Sequence, residues 1–392
     1  MPRYAQAENI GTSAGGPAPP AAPPPGPPLP AGPPPPWTYQ PYGPQAGQVA
    51  MPPPPTPVQA AGPSDRSPAA GGRDRLAVHL VWEGILAVVA IALAVTILST
   101  EPSKAFSNVL AQAGYVGLVA VGLALSLRTG TPNLAVGSIA AFTGGLSADL
   151  MNEQKWSEAT AMAVAVIVAI VIGAVIGLLV GALSVPAWAV TLGAALIVDM
   201  MLIALTGSIP IRGNLTDDYS TALWFSLFVV ASLGGGLLWL VPGVRNALSA
   251  TRRAGEPGRW GGLRPSVGAV VGITGSSLLA GLGGIAQLMR FRIAEPTSGE
   301  FLTTIGLAAV LLGGVSVFGR RAGVAGTALG VMVVVTSYNL FIIHSESRWA
   351  PTVLVGSLIL VGLGVSRGLE SITNALNAPR RLNRAQAPSP RP

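Results

Sequence analysis

Few residues in this chain are equipped for chemistry. Over 392 positions there are 16 acids, 23 basic residues and two histidines, and cysteine is absent. Without thiols there is no disulfide, no thiolate metal site and no cysteine nucleophile. His79 and His344 stand far apart in sequence and flank apolar runs, so a histidine metal site is not expected. Nucleotide hydrolysis through a phosphate-binding loop needs a glycine-rich turn ending in Lys-Ser or Lys-Thr. The two lysines, Lys104 and Lys155, are followed by Ala105 and Trp156, so no such loop is present. The acids between apolar runs occur singly or as the Asp217-Asp218 pair, with no nearby histidine and no HExxH-like spacing. No catalytic constellation is expected from them, and the chain is read as a non-enzyme with no cofactor of its own.

Two features remain. Asp199 lies inside the apolar stretch Leu196-Ile197-Val198-Asp199-Met200-Met201. A carboxylate there costs about 2.5–3.5 kcal/mol on insertion scales and must face protein or water. Asp199 either lines a solute path or pairs with Arg128 or Arg212; the plainer alternative is a residue that snorkels near the interface. The second feature is the segment from Thr129 and Gly130 through Asn133 and Leu134 to Gly137 and Ser138, where a proline and two glycines interrupt an apolar run. Freed backbone groups there must line protein or a cavity. Broken helices of this kind mark transport sites, although an ordinary tight turn has the same composition.

The elements that position these residues follow from hydropathy. Half of the chain is hydrophobic and 10% is charged, against about a quarter charged in a soluble domain, so lipid must cover much of its exterior. From Leu80 onward, apolar segments are predicted to span the bilayer near 80–98, 109–127, 133–150, 159–183, 187–206, 221–241, 266–289, 302–318, 324–343 and 350–366. The third and eighth are short and glycine-rich, and either is a candidate re-entrant or broken segment. The expected fold is all-α, a polytopic membrane helix bundle of about ten transmembrane helices. Residues 1–72 hold 23 of the 36 prolines, with almost no aliphatic side chains. They read as a disordered proline-rich tail without the layout of a secretory signal. Residues 73–370 form the membrane domain and 371–392 a basic tail.

With both termini cytoplasmic and ten alternating spans, 17 basic residues fall inside and 6 outside, in agreement with the positive-inside rule. The largest inner loop, 242–265, carries Arg252, Arg253, Glu256, Arg259 and Arg264 among its charges. It is either an anchor at the anionic lipid surface or a contact surface for a cytoplasmic partner. Gly173, Gly177 and Gly181, like Gly326 and Gly330, recur at four-residue intervals and predict close helix packing.

Three blocks in order resemble the permease subunits of bacterial ABC importers of the ribose and branched-chain amino acid type. Thr129–Ser138 is similar to that family's Gly-Gly-x-Asp-Leu-Ser-x-Gly-Ser. Val185–Gly193 is similar to its Val-Pro-x-Phe-Ile-x-Thr-Leu-Gly. A third block runs from Gly281 through Glu295–Gly299 to Ile305–Gly314, and includes the Gly313-Gly314 pair. The resemblance covers about residues 80–370. It implies a plasma-membrane permease subunit that forms, by alternating access, the pathway for a sugar or similar small polar solute. The implied partners are a cytoplasmic ATP-binding subunit, which uses the ATP, an extracytoplasmic solute-binding protein, and a second permease copy or paralogue. Thr129, Gly130, Asn133, Leu134, Gly137, Ser138, Asp199, Gly313 and Gly314 are assigned to the solute pathway, and Arg252, Arg253, Glu256, Arg259 and Arg264 to an ATPase-contact loop. The chain departs from the family at Asn133 (Asp), Ala135 (Ser), Asp199 (a basic residue) and Arg252–Pro257, which stands where a Gly-Gly-Asn and paired alanines that dock the ATPase are usual. Two other classes stay open: an ion-coupled secondary transporter, for which Asp199 is the qualifying acid, and a non-transporting scaffold working through the proline tail.

Overall fold

The computed structural model describes residues 76–100, 104–183, 185–249, 263–316, 324–344, 347 and 349–385. The proline-rich segment 1–72 lies outside the described residues. Among those described there are eleven helices: α1 Leu76–Thr100, α2 Lys104–Arg128, α3 Val136–Asn152, α4 Glu158–Leu183, α5 Ala187–Thr206, α6 Thr221–Leu240, α7 Pro242–Ser249, α8 Leu263–Phe291, α9 Ser298–Leu312, α10 Gly326–His344 and α11 Ala350–Ala385. Ten of them occupy the ten predicted spans. Eight are long and apolar enough to cross a membrane. The other two, α3 and α9, have 17 and 15 residues and are the third and eighth segments of the sequence reading. The chain is therefore a multi-pass membrane protein. Two boundaries differ from expectation. The α9 helix begins at Ser298 and ends at Leu312, because glycines stop it before 318. The α11 helix runs unbroken to Ala385, through much of the segment assigned to a tail.

Side-chain sorting follows the solvent. Leu80, Val88, Ile91, Ile167, Leu196 and Leu360 are exposed at the periphery, where hydrocarbon rather than water meets them. Trp156, Trp188 and Trp349 are exposed at or beside helix ends, the position of interfacial anchors. At the centre lies α2, buried along most of its length. The face at which α1 begins is called here the near face, and the opposite one the far face.

Small residues set the helix contacts. The predicted glycine stripe of α4 packs on α8: a Cβ on Gly173 would meet Ser277, on Gly177 the Val270 backbone at 2.7 Å, and on Gly181 Ser266 at 2.9 Å. Close backbone approach of this kind substitutes for the hydrophobic effect that lipid removes. The far-face loops are tied by a two-residue antiparallel ladder, β1 Ile211–Arg212 with β2 Ile293–Ala294, in which Ile211 opposes Ala294. Arg292 donates there to the Leu215 carbonyl at 2.9 Å and to Asp218 at 2.7 Å, and Glu158 accepts from the Thr216 amide at 2.9 Å.

Helix pairings reveal an internal repeat. Antiparallel α2 and α8 pack together, with Tyr115 and Val119 near Gly283, Gly122 near Ser276 and Thr129 near Gly272. The contacts of α3 with α4, α5 and α8 are matched by those of α9 with α10, α11 and α2, and α4 on α8 is matched by α10 on α2. Exchanging α2–α5 with α8–α11 thus maps these contacts onto one another. Because α2 and α8 run in opposite directions, the relation is an inverted repeat. Among the described helices, α1, α6 and α7 have no counterpart in this exchange.

Candidate functional site at the meeting of two short helices

Each repeat contains a helix that ends in the same kind of glycine turn. The α2 helix ends in a Schellman turn: Thr131 N–H donates to Ser126 O at 2.9 Å, Gly130 N–H to Leu127 O at 3.0 Å, and Gly130 has φ +77°. The α9 helix ends likewise, with Val315 N–H to Val310 O at 3.2 Å, Gly314 N–H to Leu311 O at 3.0 Å, and Gly314 at φ +77°. Only glycine enters that left-handed region without strain, which fixes both helix ends at these residues.

Past Gly130 the backbone has no helix to satisfy it, and side chains take over. Asn133 is fully buried. Its Oδ1 accepts from Ala135 N–H at 3.1 Å, its Nδ2 donates to Ser276 Oγ at 3.1 Å, and its own N–H donates to Ser126 Oγ at 3.1 Å. Leu134 N–H donates to Thr191 Oγ1 at 3.1 Å; that hydroxyl lies 2.9 Å from Ala187 O and 3.1 Å from Pro132 O. Gly137 N–H donates to Thr303 Oγ1 at 3.1 Å. The broken segment is thus built into protein from three sides, by α5, α8 and α9, and this is what permits it at membrane depth.

The break brings the amino-terminal ends of α3 and α9 together. A Cβ on Gly137 would strike the Gly299 carbonyl and Thr303, and one on Gly299 would lie 2.9 Å from Ser138 Cα. From this meeting point the two helices diverge. The α3 helix runs beside α8 towards the far face (Ala140 against Gly284, Gly144 near Leu288), and α9 runs against α10 towards the near face (Ala309 against Gly330, Gly313 against Gly326). Two helix N-termini therefore present their positive dipole ends at one interior point.

Asp199 of α5 stands there. It is half-buried, the Ser138 side chain hydrogen-bonds its carboxylate, and Glu300 in the first turn of α9 adds a second negative charge. One carboxylate oxygen of Asp199 lies 3.1 Å from the position of a Cβ on Gly299. Its hydrogen-bond partner is thus a hydroxyl from the other short-helix end, where pairing with Arg128 or Arg212 was considered from the sequence. Arg128 is buried at the end of α2 and interacts with Glu83. Glu300 is exposed and Thr304 and Asp199 are half-buried, which leaves these polar groups in reach of the surface beside the meeting point.

The structure brings Asn133, Leu134, Gly137, Ser138 and Asp199 together. Thr129 and Gly130 form the preceding turn, with the Thr129 and Thr131 hydroxyls 2.8 Å apart. Gly313 and Gly314 lie apart from them, on the near face, packed against Gly326 and beside Trp82 and Leu369. Arg252, Arg253, Glu256 and Arg259 lie outside the described residues, and Arg264 falls in the first turn of α8. Sequence reasoning missed Ser276, Ser277, Thr303, Glu300 and Glu83. A Ser-Ser pair inside a predicted span, and an acid at 83 within the segment 80–98, were the available signals.

Inverted repeats and broken helices that meet near the midplane recur in membrane transporters. The family model for branched-chain amino acid transport system / permease component matches residues 105–242. The fructose import permease of Rhizobium meliloti is 30% identical over 25% of this chain and 27% of its own length. The ribose import permease of Bacillus subtilis is 34% identical over 24% of this chain and 29% of its own length. An inner membrane ABC transporter permease of Escherichia coli is 27% identical over 72% of this chain and 90% of its own length. The chain spans under a third of the fructose and ribose permeases it matches. No solved structure matches. These findings bear out the resemblance read from the sequence: the chain resembles permease subunits of ABC sugar importers, and that family is one of transport, not of catalysis.

Proposed function

We propose that this chain forms the translocation pathway of an ATP-binding-cassette importer for a sugar or similar small polar solute. Two copies, or one copy and a paralogue, enclose the path, and a separate cytoplasmic subunit binds and hydrolyses the ATP. An extracytoplasmic solute-binding protein delivers the solute, and the near face is the cytoplasmic side of the plasma membrane. The observation that carries this reading is the meeting of α3 and α9 beside the polar groups of Asp199, Glu300 and Thr304. Exposed polar groups at an interior depth are costly against lipid and favourable against a hydrated path. The inverted repeat supplies two rigid halves that rock about that point, which is the mechanical requirement of alternating access.

The test is reconstitution of the chain in liposomes together with a candidate ATPase subunit and solute-binding protein from the same organism. ATP-dependent accumulation of a sugar is the expected result, and failure of any ATPase to co-purify would refute the reading. The paired acids Asp199 and Glu300 also favour a second reading, a transporter coupled to cations. Uptake by the chain alone, driven by an ion gradient, would establish it.

Within the importer reading, Asp199→Asn is expected to reach the membrane normally, because the carboxamide oxygen still accepts from Ser138. Uptake at limiting solute should fall about tenfold, the loss of roughly 1.5 kcal/mol from one charge-assisted hydrogen bond. Initial-rate uptake checks this, with expression level as control; unchanged uptake would remove Asp199 from the pathway.

A further inference from the structure

The turns that follow the two short helices are held by the same set of bonds. On the near face, between α9 and α10, Trp82 Nε1 of α1 donates to the carbonyl of Leu312, the last residue of α9, at 2.9 Å. Glu83 Oε1 accepts from the N–H groups of Ala325 and Gly326, each at 3.1 Å, where α10 begins. On the far face, between α3 and α4, Asn152 is the last residue of α3, and its Nδ2 donates to the Arg212 carbonyl at 2.6 Å. Glu158, the first residue of α4, accepts at Oε2 from the N–H groups of Thr216 and Asp217, at 2.9 and 3.3 Å. Each turn thus has one side-chain N–H on a carbonyl and one glutamate on two successive amides. Between the faces, the two sides of every bond are exchanged.

The exchange of α3 and α4 with α9 and α10 places these clasps at equivalent points of the inverted repeat. Each is closed by an element outside the exchanged helices: α1 on the near face, the segment 207–220 on the far face. Each closing element is borne by the opposite repeat. The α1 helix leads into α2. Segment 207–220 is fastened beyond the end of α8 by the β1–β2 ladder and by Arg292, which donates to the Leu215 carbonyl and to Asp218. A clasp therefore joins the outer turn of one repeat to an element carried by the other. When such halves rock about a central point, contacts close on one face as they part on the other. Hydrogen bonds to fixed backbone groups suit that use, because they have two discrete states and the same partners wait on return.

We infer that the two clasps are the alternating gates of this chain: Trp82 and Glu83 release the α9–α10 turn when the path opens to the near face, and Asn152 and Glu158 release segment 207–220 when it opens to the far face. This rests on the reading of the chain as a solute pathway. With both clasps made, as in this structure, the path is shut at both faces.

The absence of cysteine allows a thiol reporter on each face without background. Ser316, just beyond α9, and Met151, in the last turn of α3, are both buried. Met151 belongs to the small apolar cluster that Leu215, next to Thr216, covers. Ser316→Cys and Met151→Cys are placed singly in the full chain, in vesicles with the reporter's face outward, and labelling by a membrane-impermeant maleimide is timed. With E158A, Met151→Cys should label about tenfold faster, the size of a typical coupling between sites, and Ser316→Cys several-fold more slowly. With E83A the two changes should reverse. A clasp that merely held its own turn would alter its own face alone. An unchanged rate for Ser316→Cys in E158A would therefore overturn the proposal. W82F supplies the near-face arm should E83A fail to accumulate, and the E158A arm stands without it. Labelling needs neither ATPase nor solute. Opposite shifts on the two faces without transport in any reconstitution would uphold the gates and sink the importer reading. ATP-driven uptake by a chain whose faces label independently would do the reverse.

Discussion

A single methyl group at position 137 is expected to abolish solute movement, whereas the same change at Gly193 leaves it intact. A Cβ on Gly137 would be driven into the Gly299 carbonyl and would lie 2.6 Å from the Thr303 amide nitrogen. Both are backbone atoms of α9 and have no rotamer to escape into. A Cβ on Gly193 meets nothing within 4 Å. For α3 and α9 to separate enough, the 3.1 Å bond from Gly137 N–H to Thr303 Oγ1 must lengthen as well. Overpacking costs about 1–3 kcal/mol, and the weakened hydrogen bond adds about 1 kcal/mol. Gly137→Ala should therefore lower the melting temperature in detergent by several degrees and eliminate uptake in proteoliposomes. Full uptake by Gly137→Ala would show that the two N-termini need not touch for the protein to work.

The second large effect is at Asn133, where two substitutions of similar size should part company. Asn133→Leu removes the acceptor for Ala135 N–H and the donor to Ser276 Oγ, in a site sealed from water. Leaving buried polar groups unpaired costs about 1–3 kcal/mol each, so a loss of roughly 3 kcal/mol or more and little folded protein are expected. Asn133→Asp should be tolerated despite its charge. The Ser276 and Ser277 hydroxyls, 3.1 and 3.5 Å from the present side-chain nitrogen, can turn to donate, and Ala135 N–H already points at the group. The start of α3 then supplies a favourable dipole for the carboxylate. Yield and thermal stability of the purified variants decide the matter, and a well-folded Asn133→Leu protein would contradict the geometry.

The two short helices show what was legible and what was not. Their segments stand out in composition because Thr129-Gly130-Thr131-Pro132-Asn133 and the glycines after 312 interrupt otherwise continuous apolar runs. Interruption is a local property, set by φ and by the missing proline N–H. That α3, which follows the first interruption, and α9, which precedes the second, begin at one point depends on how α2 and α8 cross. No residue in either segment encodes that crossing by itself. The spacing of Gly173, Gly177 and Gly181 likewise announced a packing face but not its partner, the serine-bearing side of α8.

Hydropathy, proline content and the one-sided distribution of arginine were enough to define an all-α multi-pass protein, its ten segments and the class it resembles, because burial in lipid is sorted along the chain residue by residue. The partners of its polar groups were decided only in three dimensions. Asp199 meets Ser138 across 61 positions, and Glu83 reaches Gly326 across 243. Inside hydrocarbon a polar group must find whichever partner the helix crossings bring near, and those crossings depend on every contact of the bundle together.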